Sequence, residues 1–318
     1  MFNDIMVLGA GSFGTAMAQH MAQNSPDSRV FIYDKDEDLI SHMMRTKGHK
    51  YFFKSIRLAD NIIPVKEIRD GDLTVISVPV KSIRDILKGV SASHILNCSK
   101  GIESSKGRFV SEIVSEKFPE SKYAMISGGM IASDFIRKKG IFHADIVSSD
   151  IGFRNGLRSL LDSRYLKTEG KSDVVFYEAL SALKNVVAIS VGIMEGMGFP
   201  NSTKSILISK GAYECREIAR EISHSKRRDM GVPFWSDYIT STTGNTRNRY
   251  LGKKLGEGRS VAESLDILKN EKKTAEGYHT IAALRKRKTL ERYPILDATF
   301  KILYKGKDPS VILESISQ

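Results

Sequence analysis

Short unbroken apolar runs alternate with amphipathic stretches through the first half of the chain. Residues 5–8 are all apolar, with no polar residue among them, which predicts a buried strand. Further strand-like runs lie at 29–34, 73–78, 94–98, 123–126, 143–148 and 166–168. Between them, helical spacing fills the stretch after Gly14 to about residue 24, then 82–89, 109–118 and 131–138. Asp36 is placed to cap another helix, with Asp38 in its first turn. Segment 45–60 is irregular and basic, and Pro79 follows the strand at 73–78, where a strand should stop. Such alternation predicts an α/β domain with a doubly wound, mostly parallel sheet. Ligands on such sheets bind beyond the carboxyl ends of the strands, so Gly9, Asp34, Ser77, Lys100 and Ser127 are expected to line one crevice.

Near residue 170 the rhythm changes. From Asp173 to Met197 the chain is weakly polar and helical, with small residues at Ala179, Ser181, Ala182, Ala188, Ser190 and Gly192. Small side chains let other helices approach, so a buried helix is expected. Asn201, Ser202 and Thr203 can cap a helix over about 203–223. Pro233 and Gly244 punctuate a loop, and helices are expected at 259–268, 276–287 and 294–304. Asp308 and Pro309 start a last short helix, with the proline in its first turn. The expected organisation is an α/β domain over 1–170 and an all-α domain over 171–318, with no internal repeat.

The strand at 5–8 runs into Gly9, Gly11 and Gly14, spaced G-x-G-x-x-G, and a helix follows. Gly9 permits the tight turn, Gly11 lets the backbone approach a pyrophosphate, and Gly14 lets helix and strand pack closely. Free N–H groups and the helix dipole then meet the anion. Asp34 ends the second strand about 20 residues beyond the last glycine, where an acid binds the ribose hydroxyls of NAD. The N-terminal domain is thus expected to be a Rossmann domain. Asp34 repels a 2′-phosphate and favours NAD, although Lys35 beside it could attract one, so NADP stays open.

Composition narrows the class. With 41% hydrophobic and 27% charged residues the chain matches a globular protein with a proper core. No apolar run is expected to span a membrane, and the opening residues lack a basic-then-apolar leader, so a cytoplasmic protein is expected. Cys98 and Cys215 form no disulfide framework and lie near no clustered histidines, so neither a bridge nor a metal site is expected. The net charge of +12 admits nucleic-acid binding or a basic enzyme with anionic ligands. The densest basic runs, 226–228 and 285–288, are not interleaved with aromatics, and no nucleic-acid partner is expected.

Two stretches carry candidate chemistry. Lys184 sits among Leu183, Val186 and Val187, where it is a buried functional ammonium or a lysine reaching out from a helix face. Residues 236–249 combine Asp237, several hydroxyls, Arg247 and Arg249 across a glycine loop, which suits an anion or else a solvated polar loop.

Nearly end to end, the chain resembles the NAD(P)-dependent glycerol-3-phosphate dehydrogenases of bacterial and archaeal type. The similarity runs through residues 7–16, 99–102, 182–188, Gly192, 201–204, Lys210 and Gly211, 247–249, 275–277 and 304–309. It implies reduction of dihydroxyacetone phosphate to sn-glycerol 3-phosphate by hydride transfer, supplying phospholipid synthesis. Lys184 would be the general acid, and the base in reverse, with Asp237 orienting it and Lys100 as its cationic neighbour. Asn185 and Ser241 would contact substrate oxygens, and Arg247 and Asn248 would hold the phosphate. The implied cofactor contacts are Gly9, Gly11, Ser12, Phe13, Gly14, Asp34, Lys35, Lys100, Ala132, Arg247 and Glu276, and a homodimer is admitted. The sequence departs from the family pattern at Gly129, with Asp134 in a glutamate's place, at 234–238, where Trp235 and Ser236 precede Asp237, and at Ser241, usually threonine. The alternatives are a dehydrogenase of another small hydroxy acid or phosphate, and a non-catalytic NAD-binding protein.

Overall fold

The computed structural model describes residues 2–271 and 273–317. In chain order it holds β1 (Asp4–Leu8), α1 (Ser12–Asn24), β2 (Arg29–Tyr33), α2 (Glu37–Thr46), β3 (Ile62–Val65), β4 (Leu73–Ile76), α3 (Ile83–Ile86), β5 (His94–Asn97), α4 (Val110–Lys117), β6 (Lys122–Ser127), α5 (Ala132–Ile136), β7 (Phe142–Val147), α6 (Ile151–Leu161) and β8 (Leu166–Lys171). Among the described residues, only helices follow: α7 (Val174–Gly196), α8 (Asn201–Ser223), α9 (Gly231–Thr243), α10 (Arg247–Gly256), α11 (Val261–Asn270), α12 (Glu276–Arg287), α13 (Pro294–Lys305) and α14 (Val311–Ser317).

The strands form one sheet in the order β3-β2-β1-β4-β5-β6-β7-β8. Its first six strands are mutually parallel, the Rossmann order, and β7 joins β6 antiparallel. Residues 5–8 of central β1 are fully buried because both faces are covered: Ile5 and Val7 enter one apolar cluster, Met6 and Leu8 another. The sequence reading misses β3, whose Pro64 argues against a strand. β3 lies at the sheet edge, where a missing ladder N–H is tolerated.

The chain divides into two compact units, Met1–Ser99 with Val110–Val174, and Lys100–Phe109 with Val175–Gln318. The segment between β5 and α4 therefore clusters with the helical unit.

Within the helical unit, α7 is the central rod, and glycines set how close its neighbours come. A Cβ on Gly192 would lie 2.0 Å from the Arg249 carbonyl oxygen, and one on Gly252 would lie 2.0 Å from that of Ile189. Gly196 and Gly256 repeat this contact one turn on, so α7 and α10 touch backbone to backbone. Gly277 brings α12 onto the Asn185 carbonyl, and Gly211 brings α8 onto Val187. By length and composition α7 could cross a membrane, but Glu178 and Lys184 interrupt its apolar stretch and 89% of its apolar window is buried inside the protein.

Three local expectations are corrected. The loop expected around Pro233 is helix α9, because the proline falls in the first turn, where its missing N–H is harmless. α8 opens at Asn201 itself, after Pro200, with no side-chain cap. Pro309 precedes α14 instead of lying in its first turn, and Asp308 accepts the Ser310 N–H there at 2.8 Å.

Candidate active site

In the first unit the glycine turn leaves β1 through Gly9, at φ +107°. A Cβ there would meet the Ser77 carbonyl oxygen at 2.5 Å, and one on Gly14 would meet the Gly9 oxygen at 2.0 Å. Nothing lies within 4 Å of a Cβ on Gly11, so that face of the turn is open. Gly11 is also the N-cap of α1 and brings no side-chain acceptor to the first-turn N–H groups. Two glycines are thus fixed by packing and the third borders a space that an anion can fill, which fits a dinucleotide pyrophosphate. Ser12 and Phe13 are half-buried in the first turn of α1, and half-buried Ala132 begins α5.

Asp34 follows β2 and is tied to this turn. Its Oδ2 accepts the Ala10 N–H at 2.9 Å and its Oδ1 accepts the Asp36 N–H at 3.1 Å. Lys35 is exposed. The sequence reading missed His49, buried on the other side of Ala10. His49 Nδ1 accepts the N–H groups of Tyr51 and Phe52 at 3.1 and 3.0 Å, so Nε2 carries the proton and donates to the Ala10 carbonyl at 2.8 Å. Burial holds this imidazole below its ordinary pKa, in keeping with a neutral ring. A lone histidine in an irregular stretch carries no sequence signal of such a role.

In the helical unit four predicted residues meet. Lys184 on α7, 4% exposed, donates to Asp237 Oδ1 at 2.9 Å and to Ser241 Oγ at 2.6 Å. Asp237 and Ser241 lie one turn apart on α9 and so share its buried face. Lys100 donates to Asp237 Oδ2 at 2.6 Å, so one carboxylate bridges two ammonium groups. Trp235, 40% exposed, looks outward from the same helix, so the departure at 234–238 leaves α9 regular beside Asp237.

The charges set the proton affinities. Burial drives Lys184 down, Asp237 pushes it back up and Lys100 lowers it again, leaving its pKa at about 8. Burial pushes the Asp237 carboxyl up, but Lys100 and Lys184 outweigh it and hold it below its usual value. Glu276, at the start of α12, is raised by burial against the pull of Arg247, Lys184 and Lys100.

Arg247 is exposed at the first position of α10, which Thr246 caps by accepting the Arg249 N–H. Asn248 Oδ1 accepts the Gly277 N–H at 2.9 Å, which turns its amide N–H groups elsewhere. Asn185 is buried beside Lys184 on α7. Among the described residues no group of three or more His, Cys, Asp or Glu could hold a metal.

Comparison with known proteins gives the family. Residues 4–146 match the model of the NAD-dependent glycerol-3-phosphate dehydrogenase N-terminus, and residues 173–314 match that of its C-terminus. The glycerol-3-phosphate dehydrogenase [NAD(P)+] of Acinetobacter baylyi is 28% identical over 317 residues, covering 96% of this chain and 87% of that protein. The solved glycerol-3-phosphate dehydrogenase of Coxiella burnetii superposes with a TM-score of 0.85 at 20% identity, covering 99% of each chain. That of Plasmodium falciparum gives 0.87 at 20% identity, covering 99% of this chain and 95% of its own. Matched in both halves by the family's two models, the chain belongs to the NAD-dependent glycerol-3-phosphate dehydrogenases.

Proposed function

We propose that this chain interconverts dihydroxyacetone phosphate and sn-glycerol 3-phosphate, with NAD as the favoured coenzyme and NADP as the second. The observation that carries the reading is Lys184, a buried ammonium with a pKa of about 8, gripped by Asp237 and Ser241. Bound NAD(H) supplies or takes the hydride at C2. In reduction the Lys184 ammonium gives its proton to the substrate O2 as C2 gains the hydride, and in oxidation the neutral amine takes that proton back. Of its three N–H donors, Asp237 and Ser241 engage two, and the third serves the substrate oxygen. Asn185 adds a donor beside it, and Ser241 a hydroxyl.

Arg247, the amide of Asn248 and the N-terminus of α10 make an anion grip suited to the substrate phosphate. Arg247, Lys100 and Glu276 are also assigned to the cofactor's neighbourhood, with Gly9, Gly11, Ser12, Phe13, Gly14, Asp34, Lys35 and Ala132. Around the ribose position, Asp34, Asp36, Glu37 and Asp38 outnumber Lys35, a field that repels a 2′-phosphate. Spare lone pairs on Asp34 can accept ribose hydroxyls. Cys98 and Cys215, buried and unbridged, suit a reducing compartment such as the cytoplasm.

The test is to mix the protein with dihydroxyacetone phosphate and NADH or NADPH and follow the loss of reduced-nicotinamide absorbance. Substrate-dependent loss, faster with NADH, is expected. No loss with either coenzyme would refute the reading, and faster loss with NADPH would reverse the coenzyme preference.

A further inference from the structure

The basic run 285–288, the densest in the chain with 226–228, has no part in the chemistry so far. Its members are occupied inside the protein. Lys288 pairs with Glu221, and Arg285 lies 4.0 Å from Glu291. Lys286 Nζ donates to the carbonyls of Ser104 and Ser105 at 2.6 and 3.1 Å, and Arg287 Nη1 donates to that of Gly107 at 3.0 Å. Those carbonyls belong to the segment Lys100–Phe109, whose first residue reaches Asp237.

The segment folds on itself. The Glu103 N–H bonds the Arg108 carbonyl, and the Gly107 N–H bonds that of Glu103, each at 2.9 Å. Gly107 has φ +68°, and a Cβ there would press on Arg287 Cγ at 3.2 Å and the Ala283 carbonyl oxygen at 3.3 Å. Arg287 also stacks over the ring of buried Phe109 at 4.8 Å. The strap is thus fixed at one end by Lys100 on Asp237 and at the other by the last turn of α12, whose first turn holds Glu276.

We propose that Lys286 and Arg287 are positioning residues for the reaction: they clamp the 100–109 strap onto α12 and thereby hold the Lys100 ammonium on Asp237, beside Lys184. The proposal rests on the dehydrogenase reading for its catalytic meaning, and on the hydrogen bonds alone for the clamp. Ammonium and guanidinium donors suit this task, because charge-assisted bonds to carbonyls are stronger than neutral ones.

The charged groups acting on Lys184 are Asp237 from α9, Lys100 from the strap and Glu276 from α12. Asp237 and Glu276 favour the protonated form and Lys100 disfavours it. A loosened strap withdraws Lys100, so Lys184 holds its proton more tightly. The low-pH limb of glycerol 3-phosphate oxidation then moves to higher pH.

The experiment uses the full chain with Lys286→Ala and Lys286→Arg, and Arg287→Lys as a second site. Hydrogen exchange of the 103–108 amides reads the clamp without turnover. Faster exchange in Lys286→Ala is expected, and exchange equal to wild type would overturn the proposal. In the pH profile of kcat/KM the limb of Lys286→Ala should rise by at least about 0.3 units, with Lys286→Arg near wild type and Arg287→Lys between them. Lower activity with an unmoved limb would reduce the clamp to general stability and overturn the positioning role. If the wild-type chain oxidises no glycerol 3-phosphate, the functional reading falls, while the exchange measurement still decides the clamp.

Discussion

On the proposed reaction, Lys184 is a single side chain made into an acid and base for near-neutral pH. An ordinary lysine is almost wholly protonated there and a poor base. Burial alone would neutralise it, and Asp237 alone would lock it as a cation, so the value of about 8 reflects their opposition. Glycerol 3-phosphate oxidation, which needs the neutral amine, should therefore rise through about pH 8, and ketone reduction, which needs the ammonium, should fall above it. Opposite limbs in the two directions are the check. Lys184→Ala should lower kcat by roughly 10²–10⁴-fold with NAD affinity little changed. Titration calorimetry and steady-state kinetics separate the two, and near wild-type turnover would remove Lys184 from its role. Arg247→Ala should instead raise KM for the phosphate substrate, by about 1.5–3 kcal/mol of lost charge-assisted bonding. An unchanged KM would place the phosphate elsewhere.

At the scale of elements, the α7–α10 contact fixes what these helices tolerate. Gly252→Ala would drive a methyl to 2.0 Å from the Ile189 carbonyl oxygen, and backbone cannot yield as a side chain does. A loss of about 1–3 kcal/mol is expected, read as a lower denaturant midpoint. Gly156→Ala, in α6, should do the opposite. Its Cβ would meet only the Phe2 ring at 3.8 Å, so the gain in helix propensity of about 0.5–1 kcal/mol stands. If both substitutions act alike, the close approach is not what constrains α10. These elements also mark how far a sequence can be read. The buried strands and α7 were legible because their apolar runs are unbroken. α9 was not, since Pro233 and Gly244 look like loop punctuation until the proline is seen in a first turn. The union of Lys184, Asp237 and Ser241 joins residues 53 and 57 apart, a separation that no local pattern encodes. Only the family resemblance gathered them, and it gave no hint of His49 or of the strap.

For the whole molecule, a net charge of +12 is expected to attract anionic ligands. Both the sugar phosphate and the dinucleotide are negative, so their encounter with the protein should weaken as salt shortens the Debye length from about 30 Å at 0.01 M to about 8 Å at 0.15 M. A severalfold fall in kcat/KM with little change in kcat is expected over that range, and a flat profile would show that the field does not steer. The chain's one tryptophan offers a further readout. Trp235 stands two residues from Asp237, its indole 5.9 Å from the Tyr238 ring and partly bathed in water. Excitation to the red of the tyrosine band therefore lights a solitary indole on the helix that holds Asp237 and Ser241. Substrate docking at Ser241 should alter its emission, so occupancy can be followed in a cuvette with no label attached.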